Sequence, residues 1–236
     1  MKPLYRPKGA AREYGNYAVN LYTGCPHRCF YCFVPSVLHR NRENFHGCVE
    51  PRPGLIEALR SQIEREGVTG ELIHFCFTCD PYPAGKENSV TREAIQVIKE
   101  SGNHVQILTK GDARRDFDLL DGNDWFGVSY SCADPLAVIY EPYAVRPSQR
   151  IEQVAMARRQ GIKTWVSFEP VLSADDVLNC IRLHHSLFNK VKIGKLNYYS
   201  SEINWKTFGE QAEALCGQLG LECYIKESLR RAMRAT

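Results

Sequence analysis

Residues 17–32 read Tyr17-Ala18-Val19-Asn20-Leu21-Tyr22-Thr23-Gly24-Cys25-Pro26-His27-Arg28-Cys29-Phe30-Tyr31-Cys32: a largely apolar run, then a glycine-led loop with three cysteines in eight residues. The run Tyr17 to Tyr22 predicts a strand, so the cysteines stand at that strand's C-terminal end. Three thiolates this close together wrap one compact metal group. Zinc prefers four closed ligands, usually as two separated pairs, whereas three close cysteines suit an iron–sulfur cubane that leaves its fourth iron open. Zinc completed by Cys48, His27 or His46 is the competing reading.

Outward from this stretch the chain alternates strand and helix. A helix over about Gly54 to Glu66 sets Leu55, Leu59 and Ile63 on one face. A strand over Glu71 to Phe77 stops at Asp80-Pro81-Tyr82-Pro83, and a helix over Ser89 to Glu100 ends at Gly102 and Asn103. Strands over His104 to Thr109, Trp125 to Ser129, Ile162 to Phe168 and Lys190 to Ile193 follow. Helices are expected over Ala113 to Leu120, Ser148 to Gln160 (with Ser148 as N-cap), Ala174 to Ser186 and Ile203 to Leu219, and a short strand over Leu221 to Ile225. Six strand–helix pairs predict parallel strands joined by right-handed crossovers. The expected fold is therefore α/β, a partial (β/α)6 TIM-type barrel in a single domain over 1–236, with its core at about 17–197 and a C-terminal helix and tail over 198–236.

Barrels of this kind build their sites at the C-terminal strand ends. There the chain places the cysteine loop, then Thr78, Cys79 and Asp80, then Lys110, Ser129 with Ser131, Glu169, and Lys195 with Asn197.

Composition narrows the function classes. At 44% hydrophobic and 24% charged residues, the 236-residue chain is ordinary globular protein, which excludes disorder, collagen and coiled coil. No apolar stretch approaches the roughly 18 to 20 residues needed to span a bilayer, and Met1 to Arg12 lacks an apolar signal core; a cytoplasmic location without membrane attachment is expected. Ten cysteines there point to metal or redox chemistry, not to a disulfide framework. Cys76, Cys79, Cys132, Cys180, Cys216 and Cys223 make no second compact triad, so one cluster is expected. A net charge of +3 permits a nucleic-acid partner without demanding one.

Cys25, Cys29 and Cys32 match the C-x-x-x-C-x-x-C signature of the radical S-adenosylmethionine superfamily, with aromatic Tyr31 just before the third cysteine. The stretches Thr78 to Pro83, Leu108-Thr109-Lys110, Glu141 to Arg150 and Ser167 to Val171 resemble the spore photoproduct lyase-like branch, also called DNA repair photolyase-like. The resemblance spans about residues 17–197 and implies a 4Fe-4S cluster on Cys25, Cys29 and Cys32, with S-adenosylmethionine on the open iron. It also implies an external low-potential electron donor and hydrogen abstraction by a 5'-deoxyadenosyl radical; the cofactor carries the difficult step while the protein positions atoms and excludes water.

By the same resemblance, Tyr31 lies near the adenine, Lys110 contacts the methionine carboxylate, Cys79 and Asp80 make polar contacts after the second strand, and Ser129 meets the ribose or methionine. Ordinary roles compete at each: packing beneath the loop for Tyr31, a solvated lysine for Lys110, turn or cap duty for the others. Phe30 is expected in the core, and Glu169 to bind ribose hydroxyls or pair with Lys195. The lesion-cleaving lyases return hydrogen from a cysteine two positions before a cofactor-contacting serine; here Phe77 and Cys79 hold those positions. Cys79 or Cys76 would have to substitute as the donor, and strand alternation lets only one parity face the mouth. Cys79 is the catalytic candidate, and thymine-dimer cleavage in duplex DNA is not expected.

Two basic groups are candidate phosphate contacts: Lys226, Arg230, Arg231 and Arg234 in the tail, and His39, Arg40, Arg42, His46 and Arg52 after the cysteine loop. The segment Val34 to Pro53 is expected to act as a lid. Radical chemistry on a nucleobase, nucleoside or nucleic acid is the leading reading. Modification of a peptide or protein partner, or a non-catalytic nucleic-acid-binding module pinned by metal, are the alternatives; oligomeric state is left open.

Overall fold

A computed structural model describes residues 2–86 and 89–235. Its strands are β1 (Leu4–Tyr5), β2 (Tyr17–Val19), β3 (Leu72–Phe75), β4 (His104–Thr109), β5 (Trp125–Ser129), β6 (Lys163–Phe168), β7 (Lys190–Ile193) and β8 (Glu222–Ile225). They lie side by side in sequence order in one sheet. Only β1 is antiparallel, with Leu4 opposite Val19; the other neighbours are parallel, with Phe75 opposite Ile107, Ser129 opposite Ser167 and Ser167 opposite Lys192. Among the described residues no pairing joins β8 to β1, so the barrel is open.

The helices are α1 (Val34–Val37), α2 (Arg42–Gly47), α3 (Leu55–Glu66), α4 (Ser89–Glu100), α5 (Asp134–Tyr140), α6 (Pro147–Arg159), α7 (Ala174–His184), α8 (Trp205–Gln218) and α9 (Glu227–Arg234). α3 buries Leu55, Leu59 and Ile63 as its periodicity predicts, and Gly67, at φ 63°, ends it in the left-handed conformation. α4 has the expected bounds and buries Val90, Ala94 and Val97.

The fold is the expected partial barrel, with seven parallel strands instead of six because β8 joins as a full member. The short helix expected between β4 and β5 is present, as a 3-10 helix over Arg114–Leu119. Several local expectations change. β2 stops at Val19 because the Asn20 carboxamide takes over the pairing: its Oδ1 accepts from the Phe77 and Thr78 N–H groups at 2.8 and 2.9 Å. β3 stops at Phe75 because Cys76 adopts φ 109°, a conformation L-residues rarely take. Ser148 does not cap α6: Arg146 holds the N-cap position and Pro147, with no N–H to satisfy, opens the helix. The Ser148 hydroxyl and N–H instead donate to Asp134 at 2.6 and 2.9 Å, tying α6 to α5.

The barrel interior is polar. His74, Gln106, Ser167 and Lys192 point inward from β3, β4, β6 and β7, around Tyr14, which follows a 3-10 turn over Gly9–Glu13. The Tyr14 ring lies 5.3 Å from His74 and 6.0 Å from Trp165, and its carbonyl accepts from Gln106 Nε2 at 2.8 Å. Trp165 fits across the barrel because Gly127 faces it: a Cβ there would collide with the indole.

Candidate active site

The cysteine loop leaves β2 and is fixed at once by a close backbone approach. The Cys25 N–H donates to the Phe45 carbonyl at 3.3 Å, and a Cβ on Gly24 would run into that same oxygen. The loop turns through Arg28 in the left-handed region, at φ 53°, and the Cys32 N–H donates to the Cys29 carbonyl at 3.1 Å. Cys29 is buried, and Cys25 and Cys32 are half-buried.

Burial pushes the Cys25 thiol well up, and Asp80, Cys29 and Cys32 push it further. Burial likewise raises the Cys29 thiol to about 12, against the opposing pull of Lys110. Three soft donors in one loop, with Cys32 disfavouring the thiolates of both Cys25 and Cys29, fit a polyvalent metal group that removes the repulsion. Among the described residues no three His, Cys, Asp or Glu side chains already converge as a ligand set.

The candidate fourth zinc ligands are engaged elsewhere or exposed. Buried His27 accepts the Ala84 N–H on Nε2 at 3.3 Å and turns Nδ1 toward Asp80 at 3.5 Å, and burial lowers its basicity. His46 Nδ1 meets the Cys25 carbonyl at 2.7 Å, and Cys48 is exposed.

Beneath the loop lies a buried polar network. Tyr31 donates its hydroxyl to Glu141 and lies 3.1 Å from the Ser131 hydroxyl. Glu141 in turn pairs with Arg150, and both side chains are wholly buried. The Arg150 guanidinium also donates to the Ser129 carbonyl at 2.8 Å and the Val145 carbonyl at 2.6 Å. Burial alone would raise the Glu141 carboxyl; Arg150 and Lys110 outweigh it and hold the group ionised. Lys110, one residue past β4, carries Nζ 5.5 Å from the centre of the Tyr31 ring. Strand ends β4 and β5 thus meet the cysteine loop at Tyr31.

The other predicted residues divide. Asp80 is taken up by protein: its carboxylate accepts from the Tyr82 and Lys110 N–H groups, both at 2.8 Å, and from the Thr109 hydroxyl at 2.5 Å. Ser129 is buried, and it is the next serine, Ser131, whose hydroxyl meets Tyr31. The Cys79 sulfur accepts the Tyr22 N–H at 3.4 Å; burial raises this thiol, but its hydrogen bond from Cys76 and the backbone donors outweigh that and lower it.

Strand alternation does not decide between Cys76 and Cys79. The positive φ at Cys76 breaks it, so the two thiols bond each other and Phe77 enters the barrel, 4.5 Å from His74 and 5.6 Å from Tyr14.

Four expectations are corrected. Glu169 does not pair with Lys195: it accepts from Lys226 at 2.5 Å and Tyr14 at 2.8 Å, while Lys195 Nζ lies 5.7 Å from the Trp205 ring centre. Phe30 is 52% exposed, against Tyr140 and Tyr199, because its loop turns that side outward. In the tail, which folds as α9, Lys226 is withdrawn from the candidate phosphate contacts by burial against Glu169 and Arg230 pairs with Glu213, while Arg231 and Arg234 stay exposed. The segment after the cysteines spends Arg40, Arg42 and His46 on carbonyls of the cysteine loop, where phosphate contacts were expected of them. Arg42 and Ser131 had a sequence signal only as a basic residue and a strand-end serine.

A model of the Radical SAM superfamily matches residues 19–178, the stretch that runs from β2 into α7. The chain belongs to the radical SAM superfamily. An uncharacterized protein of Mycobacterium tuberculosis, Rv2578c, is 28% identical over 179 residues, covering 70% of this chain and 52% of that protein. Protein ORF301 of Acidianus two-tailed virus is 26% identical over 197 residues, covering 74% and 65%. This radical SAM chain thus spans about half the length of its mycobacterial relative.

A spore photoproduct lyase double mutant with bound AdoMet and dinucleoside spore photoproduct superposes with a TM-score of 0.72 at 12% identity, covering 93% of this chain and 78% of that one. Streptococcus suis SuiB bound to precursor peptide SuiA superposes at 0.69 and 13% identity, covering 92% and 50%. Both likenesses are of fold. Membership of this superfamily implies an S-adenosylmethionine and iron–sulfur site. No helix among the described residues is long and apolar enough to cross a membrane.

Proposed function

We propose that this radical SAM enzyme holds a 4Fe-4S cluster on Cys25, Cys29 and Cys32 and abstracts hydrogen from a nucleobase or nucleic-acid substrate. The observation that carries the site assignment is the meeting of the cysteine loop with the ends of β4 and β5 over the Tyr31–Glu141–Arg150 network. When bound, cluster and S-adenosylmethionine together supply a 5'-deoxyadenosyl radical on receipt of one electron from an external low-potential donor.

The chain's own residues then bind and orient. Lys110 supplies the cation for the methionine carboxylate, and Tyr31, locked by Glu141 and Ser131, presents a fixed ring and backbone for the adenine. Ser129, held through its carbonyl by Arg150, is the polar contact on β5. Asp80 acts through others: by bonding Thr109 and the Lys110 backbone it fixes the strand end from which Lys110 projects. Cys79 holds the entry to the cysteine loop at Tyr22, and its thiol is our candidate donor of hydrogen to a product radical. Burial of the network keeps water from the mouth.

Support for a nucleic-acid substrate is the likeness to a lyase bound to a dinucleoside lesion, which covers 78% of that chain. The likeness to SuiB with its precursor peptide, over 50% of that chain, supports peptide modification as the second reading. The test is anaerobic reconstitution with a strong reductant and S-adenosylmethionine. 5'-Deoxyadenosine is expected from the unaltered chain and none from Cys29→Ala. Deuterium passing from labelled oligonucleotides into 5'-deoxyadenosine would fix the substrate class; transfer from a peptide alone would refute the nucleic-acid reading.

A further inference from the structure

The backbone of the cysteine loop is held by one guanidinium. Arg42, the first residue of α2, donates to the carbonyls of Cys29 at 2.6 Å, Phe30 at 2.7 Å and Cys32 at 3.0 Å. Two of those three carbonyls belong to cysteines of the triad. The helix that carries Arg42 is itself fixed: Asn41 caps it by accepting the Asn44 N–H at 3.1 Å. Arg40 on the Thr23 carbonyl and His46 on the Cys25 carbonyl extend the same clasp to the start of the loop.

A loop that turns this sharply leaves carbonyls outside any helix or strand, and each needs a donor. Guanidinium suits the task because its N–H groups form a rigid planar fork, whereas an ammonium is a point charge. The same residue also brings a permanent positive charge to the loop's backbone. Reduction adds negative charge to a thiolate-bound cluster, so a fixed cation close by favours the reduced form.

We propose that Arg42 is the positioning residue of this centre: its fork shapes the cysteine loop for the cluster, and its charge raises the cluster's reduction potential. The proposal rests on Cys25, Cys29 and Cys32 being the ligands and is independent of the substrate. It separates geometry from charge, because Arg42→Lys keeps the charge and loses the fork, while Arg42→Met loses both.

The experiment reconstitutes the unaltered chain, Arg42→Met, Arg42→Lys and the distant control Arg60→Met anaerobically. It measures bound iron and sulfide, the rate of iron loss to excess chelator, and the midpoint potential by titration followed with electron paramagnetic resonance. Both Arg42 variants are expected to lose iron at least ~10-fold faster, the range seen when partners behind metal ligands are removed. The midpoint is expected to fall in Arg42→Met and to return toward the unaltered value in Arg42→Lys; Arg60→Met should match the unaltered chain. Should Arg42→Met take up no iron while circular dichroism shows it folded, the clasp is supported and Arg42→Lys still reports on the charge. Unchanged iron retention and midpoint in both Arg42 variants overturn the proposal alone. Failure of the unaltered chain to assemble any cluster overturns the ligand assignment and this proposal with it.

Discussion

Replacing Glu141 by leucine leaves the Arg150 guanidinium buried without its carboxylate. Arg150 is wholly buried, and its other donors already serve the Ser129 and Val145 carbonyls, so nothing nearby can replace the lost carboxylate. Stranding a buried charge in this way costs about 3–5 kcal/mol. Tyr31 adds little, because its hydroxyl keeps Ser131 at 3.1 Å, and a single net hydrogen bond is worth about 0.5–1.5 kcal/mol.

Glu141→Gln keeps one carboxamide oxygen to accept from Arg150 and can turn its NH2 to the Tyr31 hydroxyl, which then donates to Ser131, so it is expected to cost less, about 1–3 kcal/mol. The double variant Glu141→Leu/Arg150→Met removes the stranded charge and should be less damaging than the sum of its parts by about 1–3 kcal/mol. Urea unfolding followed by the fluorescence of Trp125, Trp165 and Trp205 gives these values, and that of Arg150→Met alone, through the midpoint and slope. A Glu141→Leu cost below about 1 kcal/mol, or strict additivity in the double variant, would show that the pair is not buried as described.

Three further outcomes are expected. Burial, with Lys192 and Lys226 nearby, lowers the His74 imidazole to about 3, so the native state refuses a proton that the unfolded chain accepts from about pH 6.5 downward. Stability therefore falls as pH falls, by about 2 kcal/mol between pH 7 and pH 5, and that part of the slope should vanish in His74→Gln when urea midpoints are compared. Gly24→Ala forces a methyl against the Phe45 carbonyl; a loss of about 1–3 kcal/mol and a matching loss of bound iron are expected from thermal melts and iron assays, and normal iron content would contradict the close approach. Lys226→Met takes the ammonium from both Glu169 and Glu13, leaves Glu169 the Tyr14 hydroxyl, and should cost about 1–3 kcal/mol in urea titrations, whereas Lys195→Met, a change away from that pair, should cost under about 1 kcal/mol.

The architecture was legible because it rests on local signals that survive packing. The four-residue spacing of Leu55, Leu59 and Ile63 and the apolar runs at β4 to β7 report burial directly, and burial is what the barrel demands of them. The misreadings come from features that neighbouring residues do not announce: partners distant in the chain and single backbone dihedrals. Asn20 shortens β2 by serving Phe77 and Thr78 from 57 and 58 residues away, and nothing near Asn20 announces those partners. Cys76 likewise gives no hint in its neighbours that it will take φ 109°, yet that one dihedral turns Phe77 into the barrel and pairs Cys76 with Cys79.

The site divides along the same line. Donor types and their strand-end positions are properties of single residues, so the triad, Tyr31, Lys110 and Ser129 were all visible as candidates. What orients them is relational and was not: Glu141 reaches Tyr31 across 110 residues, and Arg42 meets carbonyls that carry no sequence information at all. A basic segment beside a cysteine loop reads equally as a phosphate surface or as a backbone clasp, because both use the same cations on the same kind of acceptor, oxygen. Only the direction of the guanidinium separates them, and in Arg42 it turns toward the cysteines. The Arg42 guanidinium, which the sequence offers equally to a phosphate, is here committed to the backbone of the loop itself.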